Sequence, residues 1–170
     1  MAIDVYDASI VPLDRTLNNL THILDVAIKH TAEHKIDDAV LFAYRLYPDM
    51  LPLASQVLIA ADISKACAAR LSGSEVPKYE DNEKTLAELI ARVDKTRGYI
   101  NGIDRQLFDG AEQREVTYRT GGRELRASGL RYLYDFALPN VYFHVTTTYA
   151  ILRHCGVRLG KRDYIGSLDN

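Results

Sequence analysis

No stretch of this 170-residue chain approaches the roughly 20 consecutive apolar residues that span a bilayer, so no membrane partner is expected. Cysteine is scarce. Cys67 and Cys155 stand far apart and form no CxxC pair, which argues against a disulfide framework and a thioredoxin-type centre. A charge bias is missing as well: 21 Lys and Arg against 23 Asp and Glu leave a formal charge of -2, which disfavours unspecific nucleic-acid binding. The opening "MAIDVYDASIV" carries Asp4 and Asp7 where a signal peptide needs a basic region and then an apolar run, so a cytoplasmic location is expected. There is no GxGxxG, phosphate loop or GxSxG elbow, and no internal repeat or low-complexity tract.

What is present is an ordinary globular composition, 47% apolar and 26% charged, over a length that suits one domain spanning 1–170 with one core. Leu13, Leu17, Leu20, Leu24, Ala27 and Thr31 alternate steps of four and three, the spacing of one helical stripe. That period predicts a first helix from Ile10 to His34, with Pro12 in its first turn, where the missing amide costs nothing. Leu53, Val57, Ala60, Ser64, Cys67 and Leu71 form a second stripe, ended by "SGSEVPKYED". Thr85-x-x-Glu88 has the spacing of a capping box and precedes a third face through Leu86, Leu89, Ile90, Val93 and Ile100. In "REVTYRTGGRELRA", strand-forming residues flank Gly121-Gly122, which predicts a tight hairpin. A fourth helix ends at Gly156. Together these patterns predict an all-α fold, an antiparallel four-helix bundle with a small β-hairpin between its third and fourth helices. The segments between Lys35 and Pro52 and between Gly73 and Asn82 are long enough to shape the mouth of a cleft.

The fourth helix carries unusual polarity. Val141, His144, Thr148, Ile151 and Cys155 share a stripe, so His144 faces inward among apolar neighbours, and Asn140 precedes it by one turn. Pro139 starts or kinks the helix beside them. Two readings stand side by side: a core histidine satisfied by its neighbours, or a catalytic acid or base that shares a ligand with Asn140. Tyr142 and Tyr149 combine an apolar ring with a polar tip suited to a wet boundary.

The stretches "ALPNVYFHVTTTYAILRHCGVRLGKRDYIG" and "LASQVLIAADISKACAARLSGSEVP" resemble an uncharacterised family of helical proteins in the DinB/YfiT-like superfamily of metal-dependent enzymes. PN-x-x-FH, ILR-x-x-GV and GK-x-D-Y-x-G carry the likeness, which covers nearly the whole chain. It implies a four-helix bundle, often a homodimer, with a cleft at one end. Better-known members of that superfamily hold a divalent metal with one histidine on the second helix and an HxxxH pair on the fourth. Counted back from Leu152-Arg153, the pair falls on Asn140 and His144; counted from Gly73, the helix-two ligand falls near Gln56. Two of the three imidazoles are thus replaced by carboxamides, which are weak ligands for zinc or nickel. No cofactor is therefore expected, and a Zn or Ni ion would have to use His144 with Gln56 and Asn140 at degenerate ligand positions. The resemblance leaves a small-molecule site with His144 as the catalytic residue and Gln56, Asn140, Thr148 and Tyr149 as substrate-binding residues. A metal-dependent transferase or hydrolase, and a structural dimer whose polar seam fixes helix register, are the alternatives. Asp62, six residues past Gln56, points away from it and suits a salt bridge.

Other candidates lie outside this set. His30 and His34 have the only HxxxH spacing in the chain, read either as a metal pair or as cations favoured by a helix C-terminus. His22 reads as a surface residue. Arg153, His154, Arg158, Lys161 and Arg162 form a basic cluster, either solvated or suited to an anionic substrate group. The resemblance also allows the segment from Gly160 to Gly166 to fold back, with Asp163 pairing a bundle residue. Glu75, Glu80, Asp81 and Glu83 form an acidic loop with no assigned chemistry, and Cys155, on the inward stripe, reads as an inert thiol.

Overall fold

Asp4 starts the first helix. Its carboxylate accepts the Tyr6 and Asp7 amides at 2.9 and 3.3 Å, which satisfies donors that have no partner within the helix. The computed structural model describes residues 4–167; residues 1–3 and 168–170, included in the domain expectation, lie outside the described residues. Helix α1 runs Val5–His34, so it begins earlier than the leucine stripe predicts, and Pro12 falls inside it rather than in its first turn. The proline removes the amide that would reach the Ala8 carbonyl, a cost the buried stripe from Leu13 to Ala27 offsets through about 2 kcal/mol per leucine. Lys35 ends α1 in the left-handed conformation, at φ 54°.

The long connection that follows is not wholly irregular: α2 occupies Asp38–Ala43, with Asp37 as its cap. Helix α3 spans Leu53–Ser72, and α4 spans Leu86–Asn101 behind a complete Thr85–Glu88 capping box. A 3₁₀ turn at Arg105–Phe108 leads to strands β1, Glu115–Thr120, and β2, Arg123–Ser128. The strands pair antiparallel with Thr120 opposite Arg123, and Gly121 and Gly122 take φ of 56° and 76°, as a two-residue turn requires. The chain then runs through α5, Gly129–Arg131, a π-helical segment Tyr132–Ala137, and α6, Leu138–His154, before the short α7, Lys161–Ile165.

The described residues are mostly helical, with this one two-stranded sheet among them. Helix α1 packs on α4 and α6, and α3 packs on α4 and α6. Ala60, Ala61, Ala68 and Ala69 of α3 are fully buried, so small side chains let the neighbouring helices approach closely. Leu17, Leu24, Val57, Leu71, Leu89, Val93, Val141 and Ile151 belong to one apolar core. Among the described residues no helix is long and apolar enough to cross a membrane.

Candidate functional site

The π-helical segment prepares the start of α6. Leu138 donates to the Leu133 carbonyl five residues back, and Pro139, one residue on, has no amide to give. Single π turns within longer helices recur at functional sites because the extra residue rotates the face that follows. The rotated face buries Val141, His144, Thr148 and Ile151, while Cys155 at the end of the stripe is half-buried. Tyr118 of the hairpin packs at a tilt against Tyr132 and Phe136, with ring centroids 5.0 and 4.6 Å away, and so braces the segment.

His144 is 8% exposed and Gln56, across from it on α3, 2% exposed. His144 Nδ1 and Gln56 Oε1 are 2.6 Å apart. The other end of the carboxamide is committed as well, since Gln56 Nε2 donates to the Leu51 carbonyl at 3.1 Å. A carbonyl only accepts, which fixes Oε1 as the end facing the imidazole and assigns the proton of that bond to Nδ1. Nε2 therefore keeps its lone pair, and no hydrogen bond to it is present among the described residues. Burial holds the imidazole pKa below its ordinary value, so the ring is neutral near pH 7. The exposed Phe143 ring stands edge-on to it at 5.3 Å.

The remaining sequence candidates are placed differently. Asn140 Nδ2 donates to the Phe136 carbonyl at 2.7 Å, back into the π-helical segment, and no bond links it to His144. Thr148 is fully buried and donates to the His144 carbonyl at 2.9 Å, a helix-internal bond. Tyr149 lies on another face, edge-on to Tyr164 of α7, beside a small hollow of about 160 Å³ that it lines with Thr146, Lys161 and Tyr164. The structure thus brings His144 and Gln56 together, sets Asn140 one turn away, and leaves Thr148 and Tyr149 apart from the imidazole.

The donor set decides what the pair can hold. Among the described residues no group of three His, Cys, Asp or Glu side chains stands close enough to hold a metal ion. At the superfamily ligand positions one imidazole faces a carboxamide whose oxygen already accepts its proton, which does not fit a three-histidine zinc or nickel centre. What the arrangement can do is accept a proton at Nε2.

Elsewhere, Asp163 joins the main body through His22 Nε2 at 2.8 Å, so His22, although exposed, fastens the C-terminal segment. Asp62 pairs with Lys65 at 2.7 Å and with Arg92 at 3.3 Å. Arg92 was missed among the polar groups, yet a signal existed: it shares a stripe with Leu89, Val93 and Thr96, where a charge has no reason to be unless it is paired.

Compared with known proteins, the chain is similar over residues 5–165 to the family described as Domain of unknown function (DUF1993). It is also similar to the crystal structure of a DinB family member protein from Shewanella denitrificans, at 37% sequence identity and a TM-score of 0.88, covering 98% of this chain and 94% of that one. No curated protein matches it.

Proposed function

The chain belongs to the DUF1993 family of DinB-like proteins, and from that membership and the His144–Gln56 pair we propose an antiparallel four-helix bundle that binds a small polar molecule beside His144. Gln56 holds the imidazole in the Nδ1–H tautomer, as a carbonyl partner does for catalytic histidines generally. Nε2 then acts as general base toward a substrate proton and returns it as general acid. An amide oxygen opposite Nδ1 stabilises the imidazolium less than a carboxylate would, so the proton is held briefly and passed on. Asn140, one turn before, helps to orient the ligand with its carboxamide oxygen and its second N–H, since one N–H is given to the Phe136 carbonyl. The donors at these positions do not fit a divalent metal, so the proton transfer rests on the imidazole itself.

The observation that carries this reading is a buried, neutral imidazole with one nitrogen locked and the other uncommitted. Nε2 is not among the buried side-chain atoms left without a partner, which leaves it within reach of solvent and of a ligand. The test is a thermal-shift screen of small polar compounds on wild-type protein and on His144→Ala, followed by turnover assays on the hits. Compounds that stabilise the wild type alone are expected; hits bound and turned over equally by both proteins would overturn the reading.

A further inference from the structure

Away from His144, the end of α1 and the turn that follows α6 share positive charge that the fold leaves unpaired. A surface hollow of about 500 Å³ is lined by Val26, Lys29, His30, Glu33 and His34 of α1 and by Arg158. Small-molecule sites occupy about 300–1,000 Å³, so the hollow has room for more than a bare ion. Gly156, at φ 88°, brings the turn against α1: a Cβ built there would stand 4.0 Å from His30 Cε1. Lys29 and Arg158 make no ion pair or hydrogen bond among the described residues, so two cations from distant parts of the chain border one space without a partner. Arg92, Arg97 and Arg105, by contrast, are each tied to a carboxylate. His34 Nδ1 donates to the His30 carbonyl at 2.9 Å, which leaves Nε2 free, and the His30 ring makes no hydrogen bond among the described residues.

We propose that this hollow binds the phosphate group of a small phosphate monoester. The Arg158 guanidinium offers the planar fork of donors that matches a phosphate, and Lys29 adds a mobile point charge. Held by long flexible stems, these donors need no fixed coordination geometry to meet an anion. Val26 supplies an apolar wall for the body of the ester, and each imidazole becomes a further donor on taking up a proton. Two features oppose an anion here, Glu33 and the negative end of the α1 dipole. The second is blunted, because the Lys35 and Ile36 amides occupy the Ala32 and Thr31 carbonyls and His34 occupies that of His30. Glu33 leaves the two fixed cations in excess. Their solvent exposure sets the affinity for inorganic phosphate at about millimolar, with the ester tighter. The site is independent of the role proposed for His144.

The test is titration of the untagged chain with inorganic phosphate and with phenyl phosphate at constant ionic strength, followed by amide NMR. Saturable shifts of residues 26–34 and 156–158 are expected, while signals around Gln56 and His144 stay in place. Phenyl phosphate should bind about threefold or more tighter than inorganic phosphate through its apolar ring. Arg158→Gln and Lys29→Gln should each weaken binding about fivefold, Glu33→Gln should strengthen it, and Arg119→Gln, which removes an exposed arginine of β1 outside the hollow, should leave it unchanged. Sulfate keeps both its charges between about pH 8 and about pH 6, so its tighter binding at the lower pH would report protons gained by the imidazoles, a gain that should vanish in the His30→Gln/His34→Gln double variant. Absence of saturable shifts, shifts centred on His144, equal effects of Arg158→Gln and Arg119→Gln, phenyl phosphate binding no tighter than inorganic phosphate, or sulfate binding independent of pH would each overturn the proposal.

Discussion

At the scale of single residues, the tautomer and charge of His144 follow from two hydrogen bonds and its burial. The folded chain binds a proton at this ring less readily than the unfolded chain, because burial lowers its pKa. By linkage, its contribution to stability is complete above the ordinary imidazole value of about 6.5 and is lost as pH falls through the lower folded value. Asp163 titrates in a separate window: the Gly160 amide and His22 hold its carboxyl below the usual range, so its contribution disappears only at stronger acidity. Urea denaturation at about pH 7 and pH 5 should therefore show wild type losing more stability than His144→Gln, in which nothing charges at this position. Equal losses in the two proteins would mean that His144 takes up a proton as freely when folded as when unfolded.

At the scale of elements, two glycines, Gly98 and Gly129, have opposite roles. Gly129 joins β2 to α5; its amide donates to the Arg114 carbonyl at 2.8 Å, and a Cβ there would overlap the Ala111 carbonyl oxygen and press on Leu71. Gly129→Ala should cost about 3 kcal/mol, since backbone cannot move aside as a side-chain tip can. Gly98, inside α4, has nothing within 4 Å of a built Cβ, so Gly98→Ala should add about 0.5–1 kcal/mol through helix propensity alone. Both values come from urea midpoints at a common slope. The sequence could not separate these glycines because the difference lies in what approaches from elsewhere in the chain. Features set by local chemistry were legible: the stripes of α1, α3 and α4, the Thr85–Glu88 box and the Gly121-Gly122 turn. The start of α1 was not, because its capping Asp4 precedes the leucine stripe and Pro12 looks like a first-turn residue. Helix α2 is too short to show a period, and a π turn leaves residue spacing along the chain unchanged. At the candidate site the inward direction of His144 was readable from spacing, whereas the turn of Asn140 toward Phe136 is a choice of rotamer that no spacing encodes.

At the scale of the whole molecule, one arginine ties the connection between α3 and α4 to both helices. The Arg92 side chain is 3% exposed; it donates to the Glu80 carbonyl, to Glu83 at 2.9 Å, to Asp81 at 2.8 Å and to Asp62 on α3 at 3.3 Å. Over the same place lies the Tyr79 ring, with the Lys65 and Lys95 ammonium groups each 4.1 Å from its centre. Two of the four loop acids that the sequence left without a role, Asp81 and Glu83, are therefore counter-ions of a buried cation, while Glu80 offers it only a backbone carbonyl. Their importance differs with burial, since the Glu83 side chain is 9% exposed and the Asp81 side chain 60%. Arg92→Ala leaves the Glu83 carboxylate buried without its partner and should cost about 3–5 kcal/mol. Asp81→Asn removes only a solvated partner and should cost less than about 1 kcal/mol. Replacing Arg92 and Glu83 together by leucine removes both charges and should recover most of the Arg92→Ala loss, because apolar packing often replaces a buried pair at little cost. A double variant as unstable as Arg92→Ala would show that the loop is held by the shape of the arginine and its bonds to Glu80, Asp81 and Asp62, and not by neutralising Glu83.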